Sequence, residues 1–140
     1  MGSNEGPAGV NPRVPRSLKR AGSLAESFGY AFAGLRYAFG TQRNIRVQSL
    51  AGIGAIALGF VVGLSWLEWA VLLLVIAFVL VSEMINTVFE TIVDMITQEH
   101  DPHAMVAKDV GAAAVITAAI VALLVGALLF VPKLLALFGH

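Results

Sequence analysis

The stretch Ser82–Asp94 reads SEMINTVFETIVD and continues the apolar run AVLLLVIAFVLV, Ala70–Val81, without a break. A segment built for lipid thus ends in Glu83, Asn86, Glu90 and Asp94. Measured from Glu83 at about 100° per residue, Asn86 falls at about 300°, Glu90 at about 340° and Asp94 at about 20°, so the four share one helix face. Along the axis Glu83 and Glu90 stand about 10 Å apart, and Glu90 and Asp94 about 6 Å. An ionised carboxylate at mid-bilayer costs roughly 2.5–3.5 kcal/mol. This face must therefore look at other helices or at a wet cavity, and its carboxylates repel one another unless a cation lies between them.

Composition gives the setting for that helix. The chain has 140 residues, 58% hydrophobic and 13% charged, with a mean hydropathy of +0.83. Soluble domains carry about 25% charged residues, so the expectation is a small integral membrane protein with one domain. The absence of cysteine excludes disulfides, thiolate metal sites and a cysteine nucleophile. The first long apolar run starts too far in for a signal-peptide core and is followed by no small-residue cleavage site. The opening MGSNEG has Gly6 where N-myristoylation needs Ser or Thr.

Upstream, residues 1–20 combine three Pro, several Gly and basic residues with little to bury, which predicts a disordered basic tail. Residues 21–140 form the single membrane domain. Its first element, about 21–41, is an amphipathic surface helix: Leu24, Phe28, Ala31, Phe32, Leu35 and Phe39 fall within a wedge of roughly 100°, which suits the headgroup layer. Spans are expected at about 45–65, 67–95 and 106–131. The first holds about 21 uncharged residues between Arg46 and Glu68, enough for a core of roughly 30 Å. Gly59 and Gly63 form a GxxxG helix-packing pattern, and GAAAVITAA opens the third span with small residues. The fold class is all-α: a surface helix and three transmembrane helices.

Arg13, Arg16, Lys19, Arg20, Arg36, Arg43, Arg46 and Lys108 lie before the first span or between the second and third, and only Lys133 lies at the other end. The positive-inside rule puts the N-terminus, the loop ITQEHDPHAMVAKD and the acidic end of the second span in the cytoplasm.

By their chemistry the residues admit three readings. Three carboxylates and an amide near a lysine suit a divalent-metal and phosphate site. Intramembrane carboxylates also mark ion or proton pathways, and a polar cluster can join an oligomer. Neither GxxxxGK[ST] nor GxGxxG is present, so nucleotide binding does not follow from a Gly-rich loop. His100 and His103 are loop histidines of the kind that solvent usually surrounds. No nucleic-acid partner is expected.

The run SEMINTVFETIVDMITQEHDPHAMVAKDVGAAAV resembles the signature of the prokaryotic diacylglycerol kinase and undecaprenol kinase family. That signature, E-x-x-N-[ST]-x-x-E-x-x-x-D followed by A-K-D, is met by Glu83, Asn86, Thr87, Glu90, Asp94, Ala107, Lys108 and Asp109. SFGYAFAGLRYAF and QRNIRV extend the similarity upstream to about residue 20. The resemblance implies a homotrimeric lipid kinase of the bacterial cytoplasmic membrane, with sites between subunits, ATP as phosphoryl donor and Mg²⁺ as cofactor. It implies that Glu83 is the general base and that Glu90 binds the metal. It places Asn86, Lys108, Asp109 and Glu99 around ATP, with Asp94, Thr87 and Arg36 in support.

One position departs from the family pattern. Where a glutamate commonly precedes an R-N pair and shares the metal, this chain has Gln42 before Arg43 and Asn44, and a neutral amide is a weaker Mg²⁺ ligand. Gln42 thus stands at the metal and phosphate site with a reduced role. The loop HDPHAMVAKDV and the QRN segment look more like the undecaprenol kinase branch, so undecaprenol is the expected acceptor and diacylglycerol the alternative. A small ion-conducting oligomer is the alternative of another class; stabilisation by ATP separates it from a kinase.

Overall fold

The computed structural model describes residues 22–97 and 101–139. The tail expected at residues 1–20 lies outside them, as do Glu99 and His100. Four α-helices follow one another with no strand among the described residues: α1 Leu24–Thr41, α2 Arg43–Val62, α3 Trp66–Ile96 and α4 Pro102–Phe138. The chain divides into two units, the first reaching Tyr37 and the second starting at Ala38.

In the first unit, α1 starts where Ser23 and Glu26 satisfy backbone donors that a helix start leaves open. Ser23 Oγ accepts from the Glu26 N–H at 3.2 Å, and Glu26 Oε2 accepts from the Gly22 N–H at 2.7 Å. Leu24, Phe28 and Phe32 stand exposed on this helix, a large apolar surface of the kind that lies in a headgroup layer.

The second unit is a set of three long helices, each apolar and long enough to cross a membrane. Gln42 breaks α1 from α2 with extended backbone angles of φ −94° and ψ 116°. Arg46 braces the break, donating from Nη1 to the carbonyls of Phe39 and Gly40 at 3.0 and 3.3 Å, which the end of α1 would leave unpaired. At its other end α2 stops at Gly63, whose φ of +66° is the left-handed conformation that glycine adopts without strain. Gly59 packs so closely on Leu64 and Trp69 that an added Cβ would meet both at 2.9 Å. The two glycines of the GxxxG thus serve a cap and a close contact within one chain.

α3 begins with a capping box, Ser65 and Glu68 each bonding the other's backbone N–H. Its 31 residues reach about 46 Å, more than a hydrocarbon core of about 30 Å. Because Trp66 and Trp69 suit the interface at its start, the excess carries its acidic end into the opposite headgroup layer. α4 is capped by Asp101, whose Oδ1 accepts from His103 N at 2.7 Å and Ala104 N at 3.4 Å, with Pro102 in its first turn. It continues past Val131 through Pro132 to Phe138.

α3 packs chiefly on α4 and also on α2, and its span is the most buried of the three, 28% against 17% for each neighbour. At the Trp end, Leu64, Leu72 and Phe130 form an apolar core. Lys133 closes that end, pairing with Glu68 at 3.0 Å and donating to Gly63 O at 3.3 Å. Pairing lowers the cost of holding either charge near lipid. Phe78, Ile85, Leu123 and Leu128 remain exposed, as lipid-facing residues do.

Candidate active site

The helical period of Ser82–Asp94 puts Glu83, Asn86, Thr87 and Glu90 on the buried side of α3. Glu83 is 1% exposed, Asn86 and Thr87 each 6%, and Glu90 is half-buried. Asn86 Nδ2 donates to Glu90 Oε1 at 2.9 Å, one helical turn on. The Thr87 hydroxyl donates to the Glu83 carbonyl at 2.9 Å, which satisfies Thr87 without using the Glu83 carboxylate.

The other helices contribute the remaining contacts. Gln42, at the break before α2, makes no cap bond with its side chain; Nε2 reaches Glu90 Oε2 at 3.5 Å instead. Farther along α2, Gln48 Nε2 donates to Glu83 Oε2 at 3.4 Å. From α4, Lys108 pairs with Asp94 at the exposed end of the face. The structure thus gathers Gln42, Glu83, Asn86, Thr87, Glu90, Asp94 and Lys108. Asp109 is exposed on α4 and joins none of these bonds, and His103 is exposed in the first turn of α4. Arg36 is an exposed residue of α1 in the first unit. Glu99 lies outside the described residues.

Two contributors escape a reading of α3 alone. Gln48 is, with its neighbour Ser49, one of two polar residues in the stretch of α2 after Arg46, and burying an amide without partners costs roughly 1–3 kcal/mol; that cost was the available signal. Gly111 sits in the small-residue run of α4, where a Cβ would collide with Asn86 Oδ1. Gly111→Ala should push Asn86 away from Glu90. A small misplacement in a reaction centre can cost about a hundredfold, so we expect activity to fall by at least about tenfold. Gly111→Ser should be no better, and full activity in both variants would show that Asn86 need not stay where it is.

Oxygen is the donor type this cluster offers a cation. Glu90 supplies a carboxylate, to which Gln42 Nε2 and Asn86 Nδ2 now donate; rotation of either amide would present its oxygen, and Asn86 Oδ1 is at present buried against Gly111 without a hydrogen-bond partner among the described residues. No group of three or more His, Cys, Asp or Glu side chains converges among those residues. A set of few charged oxygens suits Mg²⁺, which takes one or two carboxylates and shares substrate phosphates. The cluster therefore fits Mg²⁺.

Comparison with known proteins finds relatives among prokaryotic lipid kinases. The family profile described as prokaryotic diacylglycerol kinase matches residues 29–130. The chain is 39% identical over 132 residues to a diacylglycerol kinase of Synechocystis sp., covering 94% of this chain and 75% of that protein. It is 38% identical over 109 residues to an undecaprenol kinase of Bacillus subtilis, covering 78% of this chain and 89% of that one. Similarity to a diacylglycerol kinase of Escherichia coli strain K12 is lower, 29% over 101 residues, with 72% and 83% covered.

Proposed function

Since the chain belongs to the prokaryotic diacylglycerol kinase family and is a membrane lipid kinase, we propose that it transfers the γ-phosphoryl group of ATP to the hydroxyl of undecaprenol, with Glu83 as general base. Its membership in a kinase family sets aside the ion-conducting alternative. The observation that carries the assignment of the base is Glu83 itself, a carboxylate 1% exposed on the same face as Asn86 and Glu90.

An alcohol is a poor nucleophile, and a positioned carboxylate that takes its proton contributes about 10²–10⁴-fold. As the acceptor oxygen bonds to the γ-phosphorus, its proton passes to Glu83. The bond from that phosphorus to the β–γ bridging oxygen breaks, and ADP leaves with the oxygen. Most of the remaining barrier is positioning and charge. Glu90, with Gln42 and Asn86, would hold Mg²⁺, which supplies neutralisation of the phosphate charge. Lys108 is a flexible cation that exchanges Asp94 for phosphate oxygens, while Asp109 and Glu99 serve the nucleotide. Thr87 ties its turn to the Glu83 carbonyl, and Arg36 keeps the surface helix at the headgroups.

This arrangement belongs to the bacterial cytoplasmic membrane with the acidic end of α3 on the cytoplasmic side, where a lipid hydroxyl meets ATP. The working form is a homotrimer whose neighbouring subunits complete each site. Undecaprenol is favoured by the sequences Gln42–Arg43–Asn44 and His100–Asp101–Pro102–His103, which resemble the undecaprenol kinase branch. Diacylglycerol is the second reading, because the Synechocystis relative of that name aligns with 94% of the chain. Labelled γ-ATP offered with each lipid separately decides: label on undecaprenol supports the proposal, and label on diacylglycerol alone replaces the acceptor.

Gln42 allows a gain-of-affinity test. Gln42→Glu puts a carboxylate where the amide now meets Glu90. The Mg²⁺ concentration for half-maximal activity should fall by about threefold or more, since ligand charge sets much of a hard cation's affinity. An unchanged Mg²⁺ dependence would remove Gln42 from the metal.

A further inference from the structure

Gln48 stands between two environments. Its Nε2 donates to Glu83 Oε2 at 3.4 Å, and its Oε1 is buried without a hydrogen-bond partner among the described residues. It also lines a groove of about 560 Å³ formed by α2, α3 and α4. Every other lining residue is apolar, Gly52, Ala55, Val79 and Ala122 among them. Val79 lies one turn before Glu83, so the groove ends about 6 Å along the axis from the base. Gln48 is thus the polar link between an apolar groove and a buried carboxylate.

The chemistry of Glu83 depends on that link. Thr87 spends its hydroxyl on the Glu83 backbone carbonyl, and Gln48 supplies the hydrogen bond that the carboxylate receives among the described residues. The amide must present its N–H, because its carbonyl would face another partial negative charge. With Oε2 held this way, Oε1 is the oxygen left to take a proton. We infer that Gln48 is a positioning residue for phosphoryl transfer: its N–H fixes Glu83 Oε2 and leaves Oε1 directed to the acceptor hydroxyl. The inference rests on Glu83 being the base.

The consequence is a loss of turnover with little loss of binding. Gln48→Met keeps the length of the side chain, removes the donor and suits the apolar groove. In the full-length protein with Mg²⁺-ATP and whichever lipid it phosphorylates, kcat should fall about tenfold to a hundredfold, the weight of a hydrogen bond to a charged group. KM for ATP and for lipid should stay within about twofold. Placed on Glu83→Asp, whose shorter side chain moves the carboxylate away from the amide, Gln48→Met should add little further loss, because residues that act through one another are not additive.

Normal kcat in Gln48→Met overturns the inference, as does a loss of equal size in the Glu83→Asp background. Gln48→Leu repeats the test if the first variant does not fold. The base assignment has its own control. If Glu83→Gln turns over normally, both assignments fall; if it is inactive while Gln48→Met is normal, only the role of Gln48 falls.

Discussion

Glu83→Gln is expected to lower the rate of lipid phosphorylation by about three orders of magnitude, the middle of the range for loss of a general base. The substitution is close to isosteric, so packing around a residue 1% exposed changes little. Thr87 keeps its bond, because that bond ends on the backbone carbonyl. Gln48 keeps an acceptor, because the new amide can turn its oxygen toward Nε2. What disappears is the charge that takes the acceptor's proton. Removing a buried charge also removes its desolvation penalty, so thermal stability should be equal to that of the unchanged protein or higher. ATP should still stabilise the variant, since binding energy from the nucleotide survives loss of the base. The decisive measurement is label transfer from γ-ATP beside a melting curve with and without Mg²⁺-ATP. An intact melt, retained stabilisation and no labelled lipid make Glu83 the base. Labelled lipid at the normal rate would move the base elsewhere.

The features legible in the sequence are those governed by a local period. Because Asn86 and Glu90 are four residues apart, an α-helix brings them together, and they bond at 2.9 Å. The uncharged runs likewise foretell α2, α3 and α4 as membrane-length helices. Gln42 stood out as a departure from a motif, and its side chain does meet Glu90. What remained hidden depends on register between helices. Gln48 looked like one polar residue in a span until α2 packed it against Glu83. Gly111 looked like one small residue among several until packing left no room for a Cβ between it and Asn86 Oδ1. Gly63 matched a packing pattern and serves as a cap, because Leu64 and Ser65 turn the chain there. Lys108 was legible as a cation near carboxylates, whereas its pairing with Asp94 required knowing how α3 and α4 meet.

Glu90→Gln should be nearly as damaging as loss of the base, with a different signature. Glu90 receives Asn86 Nδ2 at 2.9 Å and Gln42 Nε2 at 3.5 Å, so its two oxygens already hold two neutral side chains in place. An amide at this position can accept from one of them, and the fold should persist. The cation would then face three amides and no carboxylate, a poor set for a hard divalent ion. Activity should drop by about two orders of magnitude at a Mg²⁺ concentration that saturates the unchanged protein, and should recover in part as Mg²⁺ is raised. Glu83→Gln should show no such recovery, because more cation cannot accept a proton. The double variant Gln42→Glu with Glu90→Gln sharpens the test, since it moves the carboxylate across the 3.5 Å contact. If the metal lies between these side chains, the double variant should exceed Glu90→Gln in activity and need less Mg²⁺. If it is no better, the two positions do not share a cation, and the contact between Gln42 and Glu90 serves only to fix the break between α1 and α2.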